Sequence, residues 1–153
     1  MMAAPNMLKL LKPNCVAVQL KAQNKQEAID ELLGLLEQNG YLADAAQVRQ
    51  DVLAREKQMS TGLTEGLAIP HAKSNGVKDL AIALGLKPEG VEFASLDMEP
   101  AYAIFLIVSP VDRSGPYLQC LAEISSLYAQ VQVRERLLHA RNVEEVLAAM
   151  GCS

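Results

Sequence analysis

Two rhythms of hydrophobic residues run along this chain and divide it into elements. From Cys15 to Leu20 apolar positions alternate loosely with small or polar ones, placing Val16, Val18 and Leu20 on one side, and this period of two predicts a first strand. The rhythm then lengthens: Ala28, Ile29, Leu32, Leu33 and Leu36 recur at helical spacing. Asn24, with Glu27 three positions later, supplies a capping-box start for that helix, and Gly40 supplies its end. Asp44 is placed to cap a second helix that turns Ala45, Val48 and Val52 inward and delivers Arg55 to the segment that follows.

In that segment Leu67, Ala68 and Ile69 form a short apolar run, and Pro70 biases Ile69 towards an extended conformation, so His71 leaves a strand and enters a loop. Leu80 to Leu86 reads as another strand, Lys87-Pro88-Glu89-Gly90 as a turn, and Val91 and Phe93 as a short antiparallel return. The unbroken apolar run Ala101 to Val108 predicts a central strand, because only burial of both faces justifies it; Pro110 stops it. Leu118, Leu121, Ala122, Ser125 and Tyr128 fit one helix face, with Leu127 beside it. A last turn or helix around Arg134 to Ala140 precedes Asn142, which with Glu145 repeats the Asn-type cap. Strands interleaved with helices predict an α/β sandwich around a mixed sheet.

Composition narrows the classes of function. A chain of 153 residues is long enough to bury a core without disulfides or metals, and a single domain over residues 1–153 is expected. With 50% hydrophobic residues, 4% aromatic and no Trp, the core is expected to be aliphatic. The formal charge of −4 lacks the basic surplus that a nucleic-acid backbone requires, so nucleic acid is not an expected partner and small molecules or proteins are. The opening MMAAPNMLKLLKPN has no basic leader followed by a long apolar segment, and the run AYAIFLIV falls far short of the roughly 20 residues of a spanning helix. A cytoplasmic protein without direct membrane insertion is expected. Cys15, Cys120 and Cys152 have no metal or redox spacing and read as reduced, structural thiols.

Candidate chemistry gathers in Arg55 to Lys73, REKQMSTGLTEGLAIPHAK, which holds one of the two histidines. Ser60, Thr61, Gly62, Thr64 and Gly66 make a small polar loop whose amides and hydroxyls suit an oxyanion. At neutral pH much of an imidazole is unprotonated and has a nucleophilic lone pair, so His71 is either a phosphoryl acceptor or a hydrogen-bonded structural residue. Arg55 reads as a solvated cation at a helix end, and Ser60 and Thr61 either as turn residues or as phosphate contacts. Glu56 and Glu65 read as solvated or structural, Lys73 as a surface charge near the site. His139 fits a last helical turn, where it meets terminal carbonyls. No cofactor or metal is implied, since the two histidines are far apart and lack a ligand cluster. Nucleophile-elbow and Walker patterns do not occur in the sequence, which removes the usual hydrolase and nucleotide-binding readings.

Arg55-Glu56, Ser60-Thr61-Gly62 and Gly66-Leu67-Ala68-Ile69-Pro70-His71, in that order, resemble the active-site signature of the fructose/mannitol-type enzyme IIA domain of the bacterial sugar phosphotransferase system, including its nitrogen-regulatory relatives. The similarity runs from NKQEAIDELLGLL to NVEEVLAAM. It implies the enzyme IIA mannitol/fructose-type sandwich and a phosphocarrier. His71 would take a phosphoryl group from the histidine-containing phosphocarrier protein and pass it to a cysteine of a sugar-specific enzyme IIB. Arg55, Ser60, Thr61 and Tyr117 would stabilise that group. Domains of this type carry a second histidine, in a pattern like H-L-x-x-L-A-x-I, where this chain reads YLQCLAEIS, so Tyr117 stands in its place. The alternative implied by the nitrogen-type relatives is a regulatory module that binds a protein partner, with weak or absent phosphotransfer.

Overall fold

A computed structural model describes residues 7–152. A short 3-10 helix, Met7–Leu10, leads into strand β1 (Leu11–Ala17), and helices α1 (Lys25–Gln38) and α2 (Ala45–Gln58) follow. Then come β2 (Leu67–Ala68), β3 (His71–Lys73), β4 (Ala81–Val91) and β5 (Ala101–Ser109), and the chain closes with α3 (Ser114–Ala129), α4 (Val131–Leu138) and α5 (Val143–Ala149). The strands form one mixed sheet. β1 lies parallel to β4, β4 antiparallel to β5, and β2 and β3 run parallel to β5 along successive stretches of its other side.

The central position of β5 explains its unbroken apolar sequence. Phe105 and Ile107, with Ile82 and Leu84 opposite them in register, face Tyr117, Cys120, Ile124 and Tyr128 of α3 and the last two helices. Ile104, Leu106 and Val108 point the other way, into Ile29, Leu32, Leu36, Val48 and Val52 of α1 and α2. Side chains therefore alternate between two cores, and both are dry: Ile104 through Val108 are all 0% exposed. Fully burying each Leu, Ile, Val or Phe contributes about 1.5–3 kcal/mol, so this strand is the main seam of the molecule.

The predicted caps are present. Asn24 Oδ1 accepts the Glu27 amide at 2.9 Å, Asp44 accepts from Gln47 at 3.1 Å, and Asn142 accepts from Glu145 at 2.9 Å. Gly40, at φ +79°, ends α1 with its amide on Glu37 and the Tyr41 amide on Leu36, a Schellman turn.

Four features of these elements differ from the sequence reading. β1 starts at Leu11 and ends at Ala17 rather than spanning Cys15 to Leu20, because an irregularity between Leu11 and Val16 accommodates Pro13. Leu20 still donates to the Leu86 carbonyl at 2.8 Å. Lys87 to Gly90 is not a turn that ends a strand: β4 passes through it as a bulge between the Leu86–Ala103 and Val91–Ala101 pairs. Gly90 takes φ +86° there, and Lys87 folds inward to donate to the Leu20 carbonyl at 3.0 Å. On α3 the buried stripe is Tyr117, Cys120, Ile124 and Tyr128; Tyr128 is as predicted, and the other three lie one position before the predicted Leu118, Leu121 and Ser125, which leaves Leu118 61% exposed. The final helical segment begins at Val131, ahead of the predicted Arg134.

Candidate functional site

α2 delivers two neighbouring charges to opposite fates. Arg55 stays half-buried at the helix end, where its Nη1 donates to the Met59 carbonyl at 2.8 Å and satisfies a terminal acceptor. Glu56, one residue on, turns inward and is 8% exposed. Its Oε2 pairs with Lys25 Nζ at 2.8 Å and accepts the Thr61 amide at 2.9 Å, while Oε1 accepts the Thr61 hydroxyl at 2.5 Å. Burial pushes this carboxyl upward, but the bonds from Lys25 and Thr61 and the Lys25 charge prevail and hold it below the usual carboxylate range. Glu56 is thus neither a general acid nor solvated.

The polar loop after α2 is fastened from within. The Ser60 hydroxyl donates to the Phe93 carbonyl and accepts from Lys25 Nζ at 3.3 Å and the Gly62 amide at 3.1 Å. Thr61 is buried on Glu56, and its carbonyl accepts the Ile69 amide at 3.0 Å. Gly62 has no room for a side chain, since a Cβ there would lie 2.9 Å from the Ser95 Cα. The sequence proposed Ser60 and Thr61 as phosphate contacts; both hydroxyls are engaged in holding the loop.

Pro70 separates β2 from β3 and accepts the Ile107 amide at 3.0 Å, which locks the start of β3 onto the central strand. His71 does not leave a strand for a loop, as the sequence suggested, but opens β3 by pairing with Ile107; it is half-buried, with Nδ1 2.6 Å from the Ile69 carbonyl. A carbonyl oxygen only accepts, so Nδ1 carries the hydrogen and Nε2 keeps the lone pair. Burial lowers the His71 pKa below the ordinary imidazole value and the Arg55 charge adds to this, against the Ile69 bond and the Glu56 charge. The ring is therefore neutral and nucleophilic at neutral pH.

Tyr117, in the first turn of α3, stands edge-on to this imidazole, with ring centroids 5.7 Å apart and planes at 60°. Burial pushes its hydroxyl up to about 12, with Arg55 opposing, so it stays protonated as a donor. Lys73 projects to the same side of β3 as His71, two residues on. Its Nζ sits 5.6 Å from the centre of the Tyr117 ring and donates to the Ser114 hydroxyl at 2.6 Å. Lys73 is thus the exposed charge near the site that the sequence reading took it for, whereas Lys25 was passed over altogether. His139 lies apart from this group, at the end of α4, its Nδ1 2.8 Å from the Glu135 carbonyl.

A mixed α/β sandwich that presents one neutral histidine nitrogen beside an arginine, a lysine and a tyrosine has the layout of a histidine phosphocarrier. The family described as "Phosphoenolpyruvate-dependent sugar phosphotransferase system, EIIA 2" matches residues 9–151, and the chain belongs to it. The fructose-specific EIIABC component of Bacillus subtilis is 34% identical over 139 residues, 91% of this chain and 22% of that protein, so the chain spans about a fifth of that relative's length. The nitrogen regulatory protein IIA-Ntr of Neisseria meningitidis superposes with a TM-score of 0.85 at 30% identity, covering 93% of this chain and 97% of that one. Enzyme IIA mannitol of Escherichia coli, solved in complex with phosphorylated enzyme IIB mannitol, superposes at 0.80 with 26% identity, covering 94% and 99%. Among the described residues no helix is long and apolar enough to cross a membrane.

Proposed function

We propose that His71 accepts a phosphoryl group on Nε2 from the phosphohistidine of the histidine-containing phosphocarrier protein and passes it to a cysteine of an enzyme IIB. The observation that carries this reading is the 2.6 Å contact of Nδ1 with the Ile69 carbonyl, which leaves the lone pair on Nε2. In the first step that lone pair forms a nitrogen–phosphorus bond as the donor's nitrogen–phosphorus bond breaks and its electrons return to the donor imidazole. The phosphorylated ring becomes more cationic, and the Ile69 carbonyl and the Glu56 charge stabilise it. In the second step a cysteine thiolate of enzyme IIB attacks phosphorus and the electron pair returns to Nε2. Arg55 and Lys73 supply positive charge around the transferring group, and the Tyr117 hydroxyl supplies a neutral donor where the family has an imidazole. Ser60 and Thr61 contribute by holding the loop.

Exposed apolar residues support a protein as the other party. Met59 follows Arg55 at the end of α2 and is 67% exposed, and Val111 and Leu118, close to Tyr117 in the chain, are 52% and 61% exposed. The E. coli relative's complex with phosphorylated enzyme IIB mannitol supports the acceptor class. The likeness to a nitrogen regulatory protein supports a second reading, in which the same surface, switched by phosphorylation of His71, binds a regulatory protein partner.

The test is transfer itself. With phosphoenolpyruvate, enzyme I and the phosphocarrier protein, the wild-type chain is expected to label and then discharge its label to an enzyme IIB. His71→Ala is expected to stay folded and take up none. Equal labelling of that variant removes His71 from the role.

A further inference from the structure

The Nδ1–H of His71 is the last link of a hydrogen-bond chain that starts on a different layer of the fold. Lys25, the first residue of α1, pairs with Glu56 of α2 at 2.8 Å. Glu56 holds Thr61 through both its amide and its hydroxyl. The Thr61 carbonyl accepts the Ile69 amide at 3.0 Å, and the Ile69 carbonyl accepts Nδ1–H of His71 at 2.6 Å. The amide and carbonyl used at Thr61, and those used at Ile69, belong to successive peptide groups, so the coupling is positional: each residue is held at one side and holds the next at the other. The first links are also largely buried. Glu56 is 8% and Thr61 4% exposed, and the ammonium of Lys25 is further fixed 5.0 Å over the Phe93 ring and on the Ser60 hydroxyl.

We infer that Glu56 is a positioning residue for His71: by anchoring Thr61 it sets where the Ile69 carbonyl points, and so fixes the imidazole as the Nδ1–H tautomer with Nε2 presented. Lys25 keeps Glu56 ionised and in place. The logic is that of an outer carboxylate that fixes a histidine's tautomer, with two residues, Thr61 and Ile69, interposed. A catalytic role for Glu56 is not part of it, since nothing places the carboxylate on the imidazole.

This inference takes from the proposed function only the identity of the working nitrogen, and its decisive readout does not require phosphorylation. The experiment is nitrogen-15 NMR of the His71 ring in the wild-type chain, in Glu56→Gln and in Thr61→Val, above the ring's pKa. Glu56→Gln keeps the side-chain shape but gives up the charge; Thr61→Val removes only the hydroxyl bond and serves if the first variant does not fold. The wild type is expected to show the Nδ1–H form predominantly. In a folded variant the Nε2–H form is expected to rise at least about fivefold, with Glu56→Asp partly restoring the wild-type ratio, and phosphoryl uptake is expected to fall about tenfold. A wild-type tautomer ratio in folded Glu56→Gln, or in folded Thr61→Val where the first variant does not fold, overturns the inference. If the wild-type chain itself takes up no phosphoryl group, the proposed function fails, while the tautomer ratios still decide the role of Glu56.

Discussion

Tyr117 stands where the resemblance led us to expect a histidine, and its environment states what a phenol at that position changes. An imidazole there would offer a second cation below its pKa; a phenol pushed up to about 12 by burial offers only a hydrogen bond at any physiological pH. In the proposed transfer, positive charge comes from Lys73 over the same ring and from Arg55 at the end of α2. Tyr117→Phe is expected to leave the fold unchanged, since the ring keeps its packing against Cys120 and Ile124, and to slow phosphoryl transfer about tenfold, the worth of one donor at roughly 1.4 kcal/mol. Stopped-flow or quench-flow labelling measures it. A rate equal to wild type would leave Lys73 and Arg55 as the only stabilising groups. The sequence marked Arg55 and His71 because a short motif carries them, and Tyr117 because it stands where a downstream pattern calls for a histidine. It did not mark the Lys25–Glu56 pair, whose partners are far apart in the chain and meet only when α1 and α2 pack. Nor did residue type tell that the hydroxyls of Ser60 and Thr61 face inward, since a turn serine and a phosphate-binding serine have the same local sequence.

At the scale of elements, what was legible is what is local. The Asn24, Asp44 and Asn142 caps each involve residues three apart, and all were readable before any packing was known. The two Asn caps share a further feature: the third-position glutamate reaches back past the cap, Glu27 to the Gln23 amide at 2.8 Å and Glu145 to the Arg141 amide at 2.7 Å. Asn24→Ala is expected to destabilise the protein by about 1 kcal/mol in urea titration. Because α1 begins at Lys25, the same variant is expected to loosen the Glu56 pair and accelerate amide exchange at Thr61 relative to β5; unchanged exchange there would separate the cap from the site. What escaped the sequence were the features set by partners across space. The bulge in β4 looked like a turn because Pro88 and Gly90 suit both, and only the register with β5 distinguishes them. The α3 stripe was displaced everywhere but at Tyr128 because leucines outrank tyrosine and cysteine as core residues in isolation, whereas the other α3 positions facing the Phe105 side of β5 are Tyr117, Cys120 and Ile124.

Across the whole molecule, the sandwich explains how a half-buried histidine is kept ready without being locked away. β5 joins both cores, and β3 rests on it through three consecutive pairs, His71 with Ile107, Ala72 with Val108 and Lys73 with Ser109. The imidazole therefore inherits the rigidity of the central strand, while α2 and α3 bring Arg55 and Tyr117 to it from opposite layers. Geometry fixed in advance in this way lowers the cost of orienting a transferring group. It also makes the central claim specific to one atom. The measurement that tests it most directly is phosphorus and nitrogen NMR of the chain after incubation with phosphoenolpyruvate, enzyme I and the phosphocarrier protein, with a labelling-competent enzyme IIA run alongside. A single acid-labile phosphoryl group on Nε2 of His71 is the predicted result; phosphorylation on Nδ1, on another residue, or none at all would contradict the account.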